Sequence, residues 1–288
     1  MNGIIVINKE KGYTSHDVVA KLRRILNTRK IGHTGTLDPE ATGVLPVCIG
    51  KATKICDMIL NSQKEYIAGI KFGITTDTQD IFGNVISQKE PCASIEEIKE
   101  AILSFEGEIE QIPPMYSAIK VDGKKLYEYA RSGVEVERTS RKVKIEKIEI
   151  CEVSKENALI KVSCSKGTYI RTLCDDIGKK LGFGACMESL VRTKSSIFDI
   201  EKSIKIDDLN LDNYKDYIIN IDEVFLDYEK IVVNDEIKMR LINGAKSTLD
   251  KDEGKYRVYD KDGNFICVGK VIFYNKRNVI VSEKLFYV

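Results

Sequence analysis

The residues best placed to do chemistry stand in the stretch Gly32-His33-Thr34-Gly35-Thr36-Leu37-Asp38-Pro39-Glu40-Ala41-Thr42-Gly43, where turn-forming residues surround one acid. Three glycines and a proline in twelve residues break both helix and strand. A loop of this composition, next to the apolar run Val44-Leu45-Pro46-Val47-Cys48-Ile49, presents Asp38 as a fixed carboxylate for nucleophilic or acid–base work. The same composition also suits an Asx turn, in which Asp38 caps its own backbone. A second concentration of functional side chains is Lys166-Gly167-Thr168-Tyr169-Ile170-Arg171, where a strand pattern gives way to a helix pattern. A third is the span from Lys120 to Lys147, net basic and with Tyr116, Tyr127 and Tyr129 in or beside it. Interleaved cations and aromatics suit a surface that follows a phosphate backbone and stacks on bases, and also an ordinary solvated face.

The elements that must position these groups follow from periodicity. Gly3 to Asn8 reads as a short apolar strand. Thr14 to Asn27 reads as a helix with Val18, Val19, Leu22, Ile25 and Leu26 on one stripe and a capping box from Thr14 and Asp17. Ala52 to Asn61 is expected to be helical and Tyr66 to Phe72 a strand, with Ala68, Ile70 and Phe72 on one face. Ser94 to Phe105 has the clearest helix pattern, capped by Ser94 and Glu97. Residues 107–133 break the pattern with Pro113-Pro114 and form a loop-like insertion. Val143 to Ile150 and Ala158 to Ser165 alternate as strands, and a helix then runs to Gly182 with Ile170, Leu173, Ile177 and Leu181 inward. An acidic, weakly periodic connector over residues 202–229 separates two net basic parts. Beyond it come a helix over Asn234 to Asn243, a hairpin about Asp262-Gly263 and a strand from Val279 to Phe286. Sheet and helix mix without a regular βαβ repeat, which predicts an α+β protein of a large domain over residues 1–228 and a small β module over 229–288.

With 43% hydrophobic and 31% charged residues, the chain has matter for a sizeable core and is neither disordered nor fibrous. No run is apolar enough to cross a bilayer and no signal peptide precedes the first strand, so a cytoplasmic protein is expected. The 8 cysteines include no C-x-x-C pair and read as core thiols of a reducing compartment. His16 and His33 are too far apart in sequence for a helical or ribbon ligand pair, and no calcium-loop, dinucleotide or P-loop spacing occurs. The chemistry is therefore expected to use side chains alone, with no metal or cofactor.

The glycine-rich motif, Met115-Tyr116-Ser117-Ala118-Ile119-Lys120, Gly123-Lys124-Lys125-Leu126-Tyr127-Glu128-Tyr129-Ala130-Arg131 and Gly167-Thr168-Tyr169-Ile170-Arg171-Thr172-Leu173 together resemble, in this order, the TruB family of tRNA pseudouridine-55 synthases. The resemblance is clear over about residues 3–200 and weaker over the last sixty, which are similar to a PUA-like RNA-binding module. It implies a pseudouridine synthase fold: a central mixed, mainly antiparallel sheet flanked by helices. It also implies a stand-alone enzyme that isomerises a uridine in the tRNA T loop by flipping the base, without a cofactor or a protein partner. Asp38 then matches the family's catalytic aspartate and Arg171 its site arginine, a guanidinium able to hold a carboxylate through two bonds. His33, Tyr66, Tyr169 and Leu190 match substrate-contacting positions, His33 as the wedge where the nucleotide is extruded. Lys120, Lys124, Lys125 and Arg131 are the candidate RNA contacts of the insertion. Two other classes stay open, an RNA-guided synthase subunit and a non-catalytic RNA-binding module. Glu10 stands where the family usually has proline and Thr36 where alanine is frequent, leaving open whether Lys9 and Lys11 serve packing or RNA contact. No long heptad is present, and a monomer is expected.

Overall fold

A computed structural model describes residues 1–287. The strands are β1 (Gly3–Lys9), β2 (Ile31–His33), β3 (Thr42–Ile49), β4 (Lys64–Phe72), β5 (Ile74–Thr76), β6 (Val85–Gln88), β7 (Gly107–Gln111), β8 (Lys120–Val121), β9 (Lys124–Lys125), β10 (Arg141–Val153), β11 (Asn157–Cys164), β12 (Ala185–Ser195), β13 (Phe198–Asp199), β14 (Ile204–Lys205), β15 (Glu229–Val232), β16 (Ser247–Thr248), β17 (Gly254–Tyr259), β18 (Phe265–Tyr274) and β19 (Arg277–Leu285). The helices are α1 (Ser15–Ile25), α2 (Cys56–Leu60), α3 (Ile95–Leu103), α4 (Leu126–Arg131), α5 (Ile170–Leu181) and α6 (Asp235–Ile242). Ten strands make one mixed, mainly antiparallel sheet in the order β14-β1-β3-β12-β4-β11-β10-β7, with β2 on β3 and β13 on β12. A five-stranded sheet, β15-β17-β18-β19-β16, forms the C-terminal module.

Local chemistry sets the helix ends. The Thr14 and Ser94 hydroxyls accept from the amides of Asp17 and Glu97, whose carboxylates accept the cap amides in return. Gly182 closes α5 in the left-handed conformation at φ 84°.

Two cores form on one face of the large sheet. Val18, Val19 and Leu22 of α1 pack on Leu45, Val47 and Ile49 of β3, while α3 and α5 pack on Ala68, Ile70 and Phe72 of β4 and on β10, β11 and β12. The two halves meet where β3 and β12 run parallel, with Thr42 opposite Val191 and Gly43 opposite Arg192. Only glycine fits there, because φ is 102° and a Cβ would collide with the Arg192 carbonyl. On the opposite face, Ile4, Val6, Val44 and Cys48 share a third core with Val268 and Phe286 of the C-terminal module. Lys51 and Lys54 add bonds to the carbonyls of Phe286, Tyr287 and Leu285 at 3.0, 2.8 and 2.7 Å.

Several expectations need correction. The Gly32–Gly43 stretch is not loop throughout, since Gly32 and His33 end β2 and Thr42 and Gly43 begin β3. Residues 107–111 belong to the main sheet as β7, paired with β10, so the insertion starts at residue 112. The helix expected over Ala52 to Asn61 is a 3-10 turn, Gly50–Ile55, followed by α2. Central strand β12 was not anticipated, because bulges between Met187 and Ser189 and between Arg192 and Lys194 disrupt its alternation. Five cysteines are buried, but Cys92 and Cys151 are exposed. Among the described residues no helix is long and apolar enough to cross a membrane.

Gly43→Ala should destabilise the protein by about 3 kcal/mol in urea unfolding, since the left-handed backbone and the steric clash add. Gly12→Ala, also at positive φ (89°) but with nothing within 4 Å of the added carbon, should cost only about 1 kcal/mol.

Candidate active site

Asp38 lies on the loop that joins β2 to β3, which meets Arg192 of β12 and Arg171 of α5. Its loop is held on both flanks. On one side Ser15, buried at the start of α1, accepts from Leu37 N at 2.9 Å and donates to Leu37 O at 3.3 Å. On the other, Pro39 O accepts from Gly12 N at 2.9 Å and from Lys9 Nζ at 3.0 Å. Lys9 is 0% exposed and also donates to Glu10 O and Tyr13 O. Burial pulls the pKa of this lysine down to about 8, and Asp38 opposes that fall. Lys9 is thus a packing residue that straps the loop to the end of β1. Lys11, by contrast, lies at the rim, 3.0 Å from Glu40 and 4.7 Å above the Phe82 ring. Glu10, in the usual proline position, pairs with Lys205 at 3.2 Å and joins β1 to β14.

Arg171 reaches Asp38 from the first turn of α5. Its Nε lies 3.1 Å from Asp38 Oδ2, and its Nη2 donates to Asp38 Oδ1 at 3.4 Å. Its Nη2 also donates to Tyr116 O at 2.8 Å, and Nη1 to Thr78 O at 3.2 Å with Asp80 Oδ2 at 3.6 Å. Every guanidinium nitrogen is engaged, and only 7% of the side chain is exposed. Asp38 keeps 40% of its side chain open, so one side of the carboxylate stays accessible although protein surrounds it. Among the described residues its carboxylate takes contacts from Arg171 and makes no Asx turn. Desolvation raises its pKa above the ordinary range, Arg171 lowers it, and Asp80 raises it again.

Of the other expected residues, Tyr66 and Tyr169 lie near enough for the Asp38 charge to act on them. Tyr66 on β4 lies opposite Arg192 on β12, and Leu190 lies opposite Ala68 in the same register, half-buried beside Tyr66. Burial pushes the Tyr66 phenol up and keeps it neutral, with Arg192 pulling the other way. Tyr169 caps α5, and buried Gln111 fixes it by accepting from Tyr169 N at 2.9 Å and donating to Tyr169 O at 3.2 Å. His33 ends β2 with its ring edge against exposed His16, centroids 5.4 Å apart. Desolvation first, then His16, lowers its pKa. The basic residues stand apart on the insertion, where β8 and β9 form a ribbon that leads into α4. Lys124 lies over Tyr129, while Lys125 and Arg131 both lie over Tyr127. Lys120 faces Lys125 directly across the ribbon, a like-charge pair that a polyanion would relieve.

Arg192 was not foreseen. It is 1% exposed, and its Nε donates to Val44 O at 2.7 Å and its Nη2 to Gly35 O at 3.2 Å. It joins the two half-sheets and the Asp38 loop. No composition signal marks a buried arginine, although its place two residues after Leu190 put it on the same face.

Comparison with known proteins matches this architecture. Residues 23–170 match the family model described as TruB family pseudouridylate synthase, N-terminal domain, and residues 171–233 match the tRNA pseudouridylate synthase B C-terminal domain. A tRNA pseudouridine synthase B of Alkaliphilus oremlandii is 52% identical over 85% of this chain and 83% of its own. One from Clostridium kluyveri is 46% identical over 93% and 95%. A solved H/ACA ribonucleoprotein bound to a substrate RNA containing 2′-deoxyuridine superposes with a TM-score of 0.73 at 27% identity, over 99% of this chain and 85% of its counterpart. Fold and matched segments define a pseudouridine synthase, an isomerase. Within that class the chain belongs to the TruB family.

Activity should fall on the acid side as Asp38 protonates, with a midpoint above the ordinary carboxylate range. Asp80→Asn removes a like charge that raises the Asp38 pKa, so the acid limb should move to lower pH. A rate–pH profile of single turnovers checks both.

Proposed function

We propose that this chain converts uridine to pseudouridine at position 55 in the T loop of tRNA, acting without a guide RNA or protein partner. The reaction breaks the bond between N1 and C1′, turns the uracil, joins C5 to C1′, releases the C5 proton and leaves a proton on N1, so nothing is oxidised and the product is an isomer of the substrate. One fixed carboxylate serves it, because the detached base stays bound and only the sugar needs an anionic group. The single observation that carries the reading is the Asp38–Arg171 pair: a carboxylate bound by two nitrogens of a buried guanidinium, yet with part of its side chain exposed. A flipped base would stack on Tyr66, a neutral phenol, between Leu190 and Tyr169. His33, largely uncharged, suits the gap left in the RNA, where contacts recover the unstacking cost of a few kcal/mol.

The names of the relatives support tRNA as the substrate, and the T-arm assignment rests on the family resemblance and on the insertion over residues 112–140. Its Lys120, Lys124, Lys125 and Arg131 form a cation and tyrosine surface joined to the site through Tyr116 O. Residues 229–288 act as a second, PUA-like contact. A guided reading has one observation in its favour, the similarity to H/ACA ribonucleoproteins. The insertion favours direct tRNA binding instead. Incubating the purified chain alone with an unmodified tRNA transcript and mapping pseudouridine tests reaction, position and independence together.

Asp38→Asn keeps shape and removes charge, so tRNA affinity should stay within about twofold while turnover falls by roughly 10⁴-fold or more. Normal turnover would remove Asp38 from the chemistry. Lys124→Ala with Lys125→Ala should weaken tRNA binding and reduce the slope of log K against log salt by about 1 to 2, leaving the rate on bound tRNA unchanged. Binding titrations at several salt concentrations measure this.

A further inference from the structure

The turn between β5 and the Gly83 region carries two of the groups that hold Arg171, and one residue in it adopts a costly conformation. Gln79 has φ 64°, the left-handed region that a glutamine rarely occupies. Its side chain is fully engaged with α5: Nε2 donates to Asp175 Oδ2 at 2.9 Å, and Oε1 accepts from Thr172 Oγ1 at 2.8 Å. Asp175 and Thr172 are buried, and Lys179 Nζ lies 2.6 Å from the same Asp175 oxygen. The backbone is held from the other side, since Met187 N donates to Gln79 O at 3.0 Å and Ile81 N to Met187 O at 2.9 Å. Gln79 is thus clamped between β12 and α5.

Its neighbours on both sides touch Arg171. Thr78 O accepts from Nη1, and Asp80 places Oδ2 near the same nitrogen. The other Asp80 oxygen is occupied, accepting from Thr78 Oγ1 at 2.8 Å and Phe82 N at 3.1 Å. The turn therefore offers Arg171 one carbonyl and one carboxylate oxygen in fixed positions. Thr172, which grips Gln79, directly follows Arg171 on α5.

We infer that Gln79 is a positioning residue for the isomerisation: by clamping the turn to α5 it sets Thr78 O and Asp80, and through them the angle at which Arg171 presents Asp38. This rests on the reading of Asp38 as the catalytic acid. The left-handed backbone would suit glycine better, so the side-chain clamp explains what a glutamine does there.

The test uses the full chain with Gln79→Gly, Thr172→Val and Thr172→Ser. Single-turnover rate on tRNA, tRNA affinity and the proton–nitrogen NMR signal of Arg171 Nε are measured for each. Gln79→Gly and Thr172→Val should each lower the rate by roughly 10 to 100-fold, the scale of a misplaced reacting group, with affinity within about twofold. Their Arg171 Nε proton should exchange faster, and Thr172→Ser, which keeps the hydroxyl, should restore both readouts. A residue that merely fills the turn predicts the opposite, because glycine relieves the backbone. Wild-type rates and an unmoved Nε signal in Gln79→Gly and Thr172→Val overturn the inference. Should Gln79→Gly fail to fold, the Thr172 pair decides. If the unaltered chain forms no pseudouridine in tRNA, the functional reading fails, while the Nε signal still judges the clamp.

Discussion

One guanidinium organises the site. Arg171 enters from the first turn of α5 and binds the Asp38 loop, the turn over residues 78–80 and the start of the insertion at Tyr116. These three segments are far apart in sequence, and each contributes an oxygen to the same planar fork. A buried arginine left without partners costs several kcal/mol, so the fork is stable only when all three segments are in place. The constraint runs both ways. Arg171 opposes the upward pull of desolvation on the Asp38 pKa, and the insertion is tethered at the same point, so the Asp38 loop and the insertion share one cation.

A second buried cation does for the framework what Arg171 does for the site. Arg192 binds carbonyls on β3 and on the Asp38 loop from the one strand that joins the two half-sheets. Gly43 lets the strands approach, and Arg192 ties them. Lys9 repeats the device with three carbonyls at the outer end of β1. Such cations resist neutral replacement, because removing one strands several buried oxygens at about 1–3 kcal/mol each.

What could be read in advance was what local chemistry governs. The capping boxes at Thr14 and Ser94, the closure of α5 at Gly182 and the strand-to-helix junction at Tyr169 and Arg171 depend on residues within a few positions of one another. The role offered for Asp38 did not come from composition, which equally allowed an Asx turn, but from the ordered motifs that resemble the TruB family. The features that escaped depend on distant partners. Gly43 reads as a strand breaker until the Arg192 carbonyl is seen beside it. The β12 sequence Glu188-Ser189-Leu190-Val191-Arg192-Thr193-Lys194 lacks a clean alternation, since two bulges shift its faces, and its arginine is satisfied by one carbonyl of β3 and one of the Asp38 loop. Gln79 carries no signal at all, its conformation being set by α5, nearly a hundred residues further on.

The shared core beneath the sheet bears on how the protein is made. Ile4 and Val6 stand on the first strand of the large sheet, yet they pack with Val268 and Phe286 of the C-terminal module, and Ile4 also bridges Ile219. Contacts of such separation close late and slowly. During synthesis this face, which Ala52, Ile55 and Ile59 cover early, therefore stays incomplete until Val268 and Phe286 are added. That interval is when association with other nascent chains, or shielding by a chaperone, matters most for this fold.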